Sequence, residues 1–355
     1  MQTMIQQIGN YAVRVHGRTV EDGGMLWMLS SLSEIGFRVT GAKRLEMTLW
    51  SDDTTTDSDR AHITPRYAVL VDGDIVMDHC MREPEETIVV FDSGTPWGAE
   101  VRFRKLSECS QSLLAVREIR TDGKIVPLEE TGTRIEFIGD SITSGYGVEG
   151  KNEMEQFTTA TENAGKAYAG LITDWMELDS MLTCFSGFGI VSGHTEDPEK
   201  REIGKLVPPY YERAGFNDFR LPSGRKVSEI PWDFSRWQPE KILIMLGTND
   251  LSWCVDREPR KDLFRKQYKE FLKMVRKNNP GAMILCVLGI MGGGLNDRMV
   301  QAVNEYRAET GDVRIHSMTL QVQDAQRDGY GSNYHPSVRT QQRLAEKVQA
   351  FIQNT

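Results

Sequence analysis

Two patterns of apolar residues divide the chain. Up to about residue 127, apolar and polar residues alternate in short runs, as in KRLEMTLW (43–50) and RYAVLVDGDIVM (66–77). Period-two alternation that is interrupted by turn-forming pairs such as Asp72-Gly73 is typical of antiparallel strands with one face in water. We therefore predict an all-β N-terminal domain over residues 1–127, a jelly-roll-like β-sandwich, although a β-barrel would show the same periodicity.

The second pattern begins near residue 128, where runs that are apolar throughout alternate with longer segments of helical period. The helical segments include residues 165–178, residues 262–277 and the stretch after Pro336. Strands that lack a polar face and are joined by amphipathic helices indicate a parallel sheet covered on both sides. We predict an α/β domain over residues 128–355, with residues 195–235 as an insertion over the sheet. The predicted strands are IEFIG, MLTCFS, KILIMLG, MILCVLG and VRIHSMTL.

Composition limits the classes of function. The 355 residues are 39% hydrophobic and 26% charged, which suits a globular protein with room for two cores. A formal net charge of -9 argues against a nucleic-acid or anionic-membrane partner, since both need a positive surface. The five cysteines are scattered and include no CxxC pair, so we expect reduced thiols and neither a disulfide framework nor a zinc site.

The chain also shows no pattern for membrane insertion or export. No apolar run approaches the roughly 20 residues that cross a bilayer, and the first residues lack the charged-then-apolar order of a signal peptide. These features predict a cytoplasmic protein, although a secreted protein whose signal had been removed would look the same.

Polar residues follow three of the predicted parallel strands. Ser141 follows the strand IEFIG in the motif GDS, Gly187 follows MLTCFS in SGFG, and Asn249 follows KILIM in LGTND. Ligands of open α/β sheets bind beyond the carboxyl ends of the strands, so these residues are candidates for a nucleophile and for donors to an oxyanion. Each also has an ordinary structural explanation as a turn or cap residue.

A serine nucleophile needs a base. Of the six histidines, His316 lies inside a predicted strand and His194 lies in a charged loop. His335 precedes Pro336 at the predicted start of the last helix, where a loop can bring an imidazole to the same sheet edge. We therefore select His335 as the candidate base.

Together, GDS, SGFG, GTND and the late His335-Pro336 pair resemble the four sequence blocks of the SGNH or GDSL hydrolases. This resemblance implies that Ser141 is the nucleophile, that His335 is the base, and that Ser141, Gly187 and Asn249 form the oxyanion hole. A preceding β-domain, together with PWDFSRWQPEKILIMLGTND, is most similar to carbohydrate esterase family 2. That family removes acetyl groups from plant polysaccharides.

One position departs from the superfamily pattern. The aspartate that commonly lies three residues before the histidine is replaced by Ser332, which cannot supply the negative charge that stabilises an imidazolium. Family 2 esterases can hold the imidazole with a backbone carbonyl, and we expect such a Ser-His dyad here. An acid from elsewhere is the alternative, and Asp328 is the nearest in sequence.

Aromatic residues near the motifs are candidates for binding a sugar. Trp253 lies just after LGTND, and Tyr146 and Tyr334 flank the proposed catalytic residues. An aromatic ring at the rim of the crevice could stack on a pyranose, although ordinary packing explains a loop aromatic equally well.

These features predict a serine esterase that removes acetyl groups from xylan or mannan oligosaccharides, with no cofactor and no metal. The expected partner is an acetylated oligo- or polysaccharide, and the sequence leaves the oligomeric state open. One alternative is a GDSL esterase or thioesterase for lipid or other acyl esters. Another is a carbohydrate-binding protein with a decayed site, and an α/β-hydrolase lipase is disfavoured because no GxSxG surrounds Ser141.

Overall fold

The computed structural model describes residues 5–129 and 132–355, and its described strands form two sheets of different kinds. The first sheet is antiparallel and occupies the N-terminal part of the chain. Its strands are β1 (Ile5–Ile8), β2 (Tyr11–His16), β3 (Thr19–Asp22), β4 (Met25–Met28), β5 (Glu34–Ser51), β6 (Arg66–Val71), β7 (Asp74–Cys80), β8 (Glu85–Lys105), β9 (Leu114–Thr121) and β10 (Lys124–Pro127).

Two long strands make this sheet curl. Strands β5 and β8 are 18 and 21 residues long, and their pairing shifts register between Val39 and Ala42 and again near Leu45. Such irregularities bend a strand, so the sheet wraps around one apolar core that contains Phe37 and Phe103. The prediction of an antiparallel N-terminal sheet is confirmed, and its described strands belong to one curled, hydrogen-bonded sheet.

The second sheet is parallel, with the strand order β12-β11-β13-β14-β15. Its strands are β11 (Arg134–Gly139), β12 (Asp179–Cys184), β13 (Lys241–Met245), β14 (Met283–Leu288) and β15 (Ile315–Thr319). Each lies within a predicted apolar run or overlaps it, so the prediction of a parallel sheet is confirmed. The helices are α1 (Ser141–Ser144), α2 (Tyr168–Trp175), α3 (Pro208–Tyr211), α4 (Thr248–Cys254), α5 (Glu258–Asn278), α6 (Asn296–Thr310), α7 (Ala325–Asp328) and α8 (Val338–Gln353).

Apolar side chains cover the parallel sheet in two clusters. The first cluster combines strand residues with the apolar face of α5, including Phe264 and Tyr268, and with α6. The sequence pattern had not singled out α6. The second cluster combines strand residues with α2 and α8, including Ile172 and Leu344. The amphipathic periods of the predicted helices therefore mark the faces that pack on the sheet.

Residues 195–235 join the two halves of the molecule. Tyr211 and Val227 from this segment share the first cluster with Trp27 and Leu29 of β4 and its following turn. The predicted insertion thus packs against the parallel sheet and against the antiparallel one as well. Among the helices of the described residues, none combines the length and apolarity that crossing a membrane requires.

Candidate active site

The register of the parallel sheet brings three motifs to one edge. Gly139 at the end of β11 pairs with Cys184 of β12 on one side and with Met245 of β13 on the other. The three strands therefore end at the same height, and the chain leaves them toward Ser141, Gly187 and Asn249. The predicted edge location of these residues follows directly from this pairing.

Ser141 is the first residue of α1 and is almost fully buried. Asp140 caps this short helix, because its side chain accepts the backbone N–H of Ile142 at 3.0 Å. The helix ends after one turn at Gly145, whose φ of 77° favours glycine. The sequence GDSITSG thus folds as a cap, one helical turn and a stop, with the serine hydroxyl at the edge of the sheet.

His335 meets Ser141 at hydrogen-bond distance. Its Nε2 lies 2.9 Å from Ser141 Oγ, and its Nδ1 lies 3.0 Å from the backbone oxygen of Asn333. A carbonyl oxygen can only accept, so Nδ1 carries the proton of the neutral imidazole and Nε2 presents its lone pair to the serine hydroxyl. The structure thus pairs the two residues in the orientation that proton transfer from serine to histidine requires.

An unusual turn directs the Asn333 carbonyl toward His335. Asn333 and Tyr334 have φ values of 50° and 63°, in the left-handed region that few residues other than glycine adopt. The turn is anchored because Ser332 donates its N–H to the carbonyl oxygen of Gly147 at 2.8 Å. Close approach of the two segments requires glycine, since a Cβ on Gly331 would lie 2.2 Å from that same carbonyl oxygen.

Ser332 occupies the position where the superfamily commonly has an acid. It is fully buried, and its Oγ lies 3.5 Å from Thr161 Oγ1. A Cβ on Gly150 would lie 2.3 Å from that hydroxyl, so the pocket around Ser332 is tightly packed. The expected carbonyl-held imidazole therefore has a geometric basis in Asn333, and the Ser332 hydroxyl contacts another part of the chain.

Asp328, the alternative acid, is engaged elsewhere. Its carboxylate accepts Arg327 Nη2 at 2.7 Å and Arg343 Nε at 3.0 Å. The first of these contacts is the main reason that the pKa of Asp328 lies below its ordinary value. This carboxylate forms ion pairs with two arginines, and the contact at His335 Nδ1 is made by the Asn333 carbonyl.

Three further residues hold the His335 ring and α8, the helix that follows it. The ring of Tyr146 lies 4.4 Å from that of His335 and is stacked on Phe157 at 3.7 Å between centroids. Gln341 of α8 donates to the Ile142 carbonyl and accepts the Tyr168 N–H, both at 2.9 Å. Tyr146, predicted as a sugar contact, therefore packs beneath the candidate base, and Gln341 ties α8 to the helix that carries Ser141.

Burial keeps the imidazole neutral. It lowers the pKa of His335 from 6.5 to about 4, and the hydrogen bond to the Asn333 carbonyl opposes this shift. A neutral imidazole is the form that accepts a proton, so the group is ready to act as a base at neutral pH.

Asn249 lies in the first turn of α4, next to the residue that precedes Ser141. Its Nδ2 donates to the Phe188 carbonyl at 2.8 Å and to Asp140 Oδ2 at 3.2 Å. Burial raises the pKa of Asp140 to about 7. The amide thus links the chain after β12 to Asp140, the cap of the nucleophile helix.

Gly187 has a φ of 81°, and an added Cβ would meet only Lys205, at 3.9 Å. The backbone conformation, and not crowding, therefore demands glycine here. The loop after it is held by Asp250, whose Oδ1 accepts the N–H groups of Ile190 and Val191 at 2.9 Å and 2.6 Å. Asp250 follows Asn249 in the motif GTND. The sequence therefore contained a signal for this residue that our predictions did not use.

The two remaining aromatic candidates differ in exposure. Tyr334, the residue before His335, is 55% exposed, and its ring centroid lies 5.6 Å from that of Tyr330. Trp253 is only 9% exposed. The Arg201 and Arg260 guanidinium groups lie 5.1 Å and 4.6 Å from the Trp253 ring centroid. The Trp253 indole therefore packs against two arginines, and its part in sugar binding stays a prediction.

Over residues 5–129 and 132–355, there is no group of three or more histidine, cysteine, aspartate or glutamate side chains that could hold a metal ion.

Comparison with known families accords with this arrangement. Residues 135–348 match the family described as GDSL-like Lipase/Acylhydrolase, a stretch that includes Ser141 and His335. The chain belongs to this family. The predicted membership of the GDSL or SGNH hydrolases is thereby confirmed.

Curated relatives of this GDSL-family chain include esterases of carbohydrates. It is 34% identical over 260 residues to the cellulase/esterase CelE of Acetivibrio thermocellus, an alignment that covers 72% of this chain and 28% of CelE. It is 24% identical over 284 residues to an acetylxylan esterase / glucomannan deacetylase of Cellvibrio japonicus, covering 77% and 74% of the two chains. The chain thus corresponds to just over a quarter of CelE.

Solved structures extend the similarity to both sheets. A family two carbohydrate esterase from Clostridium thermocellum, in complex with cellohexaose, superimposes with a TM-score of 0.80 at 25% identity, covering 96% of this chain and 98% of that one. An acetyl xylan esterase, Est2A, from Butyrivibrio proteoclasticus has a TM-score of 0.84 at 21% identity, which shows a shared fold over 99% and 98% of the chains. The predicted resemblance to carbohydrate esterase family 2 is confirmed.

Proposed function

We propose that this GDSL-family protein is a serine esterase that removes O-acetyl groups from hemicellulose oligosaccharides of the xylan or mannan type. The observation that carries the proposal is the pairing of Ser141 Oγ with His335 Nε2 at 2.9 Å, with Nδ1 held by a backbone carbonyl. The curated relative in Cellvibrio japonicus, named as an acetylxylan esterase / glucomannan deacetylase, supports the choice of substrate class.

In the proposed reaction, His335 Nε2 takes the proton of Ser141 as Oγ attacks the acetyl carbonyl. The resulting imidazolium donates its Nδ1–H to the Asn333 carbonyl, which fixes the ring without a carboxylate. His335 then returns the proton to the departing sugar hydroxyl. Water, activated by the same imidazole, hydrolyses the acetyl group from Ser141 and regenerates the enzyme.

The negative charge that develops on the carbonyl oxygen needs donors. We assign this role to the backbone N–H groups of Ser141 and Gly187 and to the side-chain amide of Asn249, in line with the family. Asn249 Nδ2 donates to the Phe188 carbonyl at 2.8 Å and to Asp140 Oδ2 at 3.2 Å, which orients the amide; its two N–H groups are both engaged, so the assignment requires the longer bond, to Asp140, to give way to the oxyanion. Oriented donors of this kind supply a large share of the catalysis of acyl transfer.

The substrate-binding side of the proposal rests on exposed aromatic surface. Tyr334 projects beside His335 and pairs with Tyr330, which gives a ring face on which a pyranose can stack. We further propose that the curled antiparallel sheet, with its boundary near residue 127, is a jelly-roll accessory domain. Its bent strands β5 and β8, which pair along most of their length, support that description.

The proposal is tested with purified protein and two kinds of ester. Acetylated xylan and glucomannan oligosaccharides are incubated with the protein, and the loss of acetyl signals is followed by NMR. Rates on p-nitrophenyl acetate and p-nitrophenyl octanoate are measured in parallel. We expect loss of sugar acetyl signals and a strong preference for acetate over octanoate.

Ser141→Ala is the matched variant, because it removes one hydroxyl and leaves the rest of the site intact. We expect its turnover of p-nitrophenyl acetate to fall to the background rate, with an unchanged melting temperature. Retention of most of the activity would overturn the assignment of Ser141. A preference for octanoate would instead favour the alternative that the sequence left open, a GDSL esterase or thioesterase for lipid or other acyl esters.

A further inference from the structure

A loop of the antiparallel domain enters the parallel domain close to the candidate site. This loop, residues 106–113, connects β8 with β9, and we call it the docking loop. Its Leu106 carbonyl accepts the Ala164 N–H at 3.1 Å, and its Cys109 carbonyl accepts Asn217 Nδ2 at 2.6 Å. The docking loop is therefore hydrogen-bonded to two separate segments of the other domain.

Glu108 of the docking loop reaches the segment that follows β12. Its Oε2 accepts the backbone N–H of Ser186 at 2.8 Å, and its Oε1 accepts Gln111 Nε2 at 3.1 Å. Glu108 is fully buried, and its own N–H donates to Glu162 Oε1 at 3.1 Å. A side chain of the N-terminal domain thus holds the N–H of Ser186, the residue that immediately precedes Gly187.

The peptide groups before and after the one that carries the Gly187 N–H are both held by hydrogen bonds. Glu108 holds Ser186 from one side, and the His194 N–H donates to the Gly187 carbonyl at 2.8 Å from the other. The Ser186 hydroxyl lies 3.3 Å from Ser144 Oγ, on the helix that begins with Ser141. The N–H that we assign to the oxyanion hole therefore lies between two anchored peptides and next to the nucleophile helix.

Burying a carboxyl group at a contact between two domains carries a desolvation penalty. Burial penalises the charged form and raises the pKa of Glu108. Two other contacts of the docking loop with the parallel domain use neutral backbone carbonyls, at Leu106 and Cys109, which carry a smaller penalty. Asp250 holds the loop beyond Gly187, and the Glu108 carboxyl, which comes from the other domain, accepts from the residue directly before Gly187, which indicates a role in placing that glycine.

We propose that Glu108 is a positioning residue: the antiparallel domain, through this side chain, sets the direction of the Gly187 N–H and so completes the oxyanion hole of the parallel domain. This inference rests on the proposed function, because it assigns the Gly187 N–H to the reaction. It goes further in giving the N-terminal domain a direct part in catalysis.

The experiment compares three substitutions of Glu108 with a matched control in the full-length chain. Glu108→Ala removes the acceptor, Glu108→Asp draws it back by one methylene, and Glu108→Gln keeps an acceptor oxygen at the same length. Asn217→Ala is the control, because it breaks a buried bond to the neighbouring residue of the docking loop and does not touch Ser186. Melting temperatures report the structural effect of each change.

Two measurements report the site itself. The first is kcat and KM for p-nitrophenyl acetate. The second is the rate at which ethyl p-nitrophenyl methylphosphonate labels Ser141, in which Oγ forms a bond to phosphorus, p-nitrophenolate leaves, and the phosphoryl oxygen takes the place of the oxyanion. The label depends on the nucleophile and the oxyanion hole, and it does not depend on which acyl group or sugar the enzyme prefers.

We expect Glu108→Ala and Glu108→Asp to lower kcat and the labelling rate by at least about tenfold, because removing one oxyanion donor outright costs about a hundredfold or more. KM should stay within about twofold, Glu108→Gln should recover most of kcat, and Asn217→Ala should lower only the melting temperature. If Asn217→Ala lowers kcat as much as Glu108→Ala, or if both leave it unchanged, Glu108 is an ordinary contact and the inference is wrong.

The same data separate this inference from the proposed function. Wild-type protein that is labelled by the phosphonate but inactive on acetyl esters would contradict the proposed substrate alone, and the labelling rates of the variants would still decide the role of Glu108. Wild-type protein that is neither labelled nor active would overturn both.

Discussion

His335 shows how much one residue can depend on a single carbonyl. Its neighbour in sequence, Ser332, has no charge to offer, and Asp328 forms ion pairs with Arg327 and Arg343. The Asn333 carbonyl fixes the same tautomer that a carboxylate would fix, because either group can only accept from Nδ1. What is lost is the negative charge that would raise the basicity of the ring.

The low pKa of His335 predicts the acid limb of the activity profile. Burial lowers this pKa to about 4, so the base stays neutral well below the ordinary histidine value near 6.5. We expect kcat/KM for p-nitrophenyl acetate to be flat down to about pH 5 and to fall as the pH approaches about 4. An acid limb near pH 6.5 would contradict this environment for the imidazole.

The free energy of unfolding should also depend on the protonation of His335. Between about pH 6.5 and about pH 4 the unfolded chain binds a proton at His335 that the folded chain excludes, so this contribution to stability is complete above 6.5 and is lost as the pH falls through that window. Assays at each pH are therefore followed by return to pH 7. Recovered activity distinguishes titration of the base from irreversible unfolding.

At the scale of elements, the turn that carries Asn333 is the least ordinary backbone of the site. Two successive residues other than glycine adopt left-handed conformations, with φ values of 50° and 63°. Asparagine tolerates this region better than most residues because its short polar side chain makes local hydrogen bonds, and here Nδ2 donates to Tyr146 Oη at 3.2 Å. The turn is thus held by its side chain as well as by its anchor at Gly147.

Two substitutions of Asn333 test whether this conformation matters for catalysis. Both Asn333→Gly and Asn333→Val lose the bond to Tyr146, but only valine resists a positive φ, at a cost of roughly 1–2 kcal/mol. We expect valine to lower kcat for p-nitrophenyl acetate by about tenfold or more relative to glycine, because the carbonyl would turn away from His335. Equal kcat values for the two variants would show that the turn conformation is irrelevant to the base.

At the scale of the molecule, the two sheets share their packing. Trp27 and Leu29 join the first cluster of the parallel sheet, and Leu32 and Leu106 join the second. Arg18 of the turn before β3 is buried as well, donating to the Tyr211 carbonyl at 2.7 Å and to Glu136 Oε1 of β11 at 3.2 Å. Shared cores of this kind favour unfolding of the two domains as one unit.

Arg18→Met tests that coupling. It leaves Glu136 buried without its cation, and breaking a buried ion pair in this way typically costs about 3–5 kcal/mol. We expect urea denaturation, followed by tryptophan fluorescence, to show one transition with its midpoint shifted by that loss. The control Arg44→Ala breaks an exposed pair with Asp92 and should leave the midpoint almost unchanged; two separate transitions in wild-type protein would contradict a shared core.

Much of the site was accessible from sequence because it follows from local rules. Ser141, Gly187 and Asn249 each come directly after an apolar strand, and adjacent parallel strands present their carboxyl ends at one edge. Trp253 could not be placed in the same way, since only folding decides that Arg201 and Arg260 lie over its ring. Glu108 had no sequence signal at all, because its partner Ser186 is 78 residues away and belongs to the other domain.

By itself, therefore, the sequence determined the two kinds of sheet, the strand ends and the residue types available for acyl transfer, because periodicity and motifs are properties of short segments. Only the tertiary structure decided which group orients His335, which aromatic ring stays open and which domain holds the peptide before Gly187. Those contacts join segments that are distant along the chain, and the packing of the whole molecule brings them together.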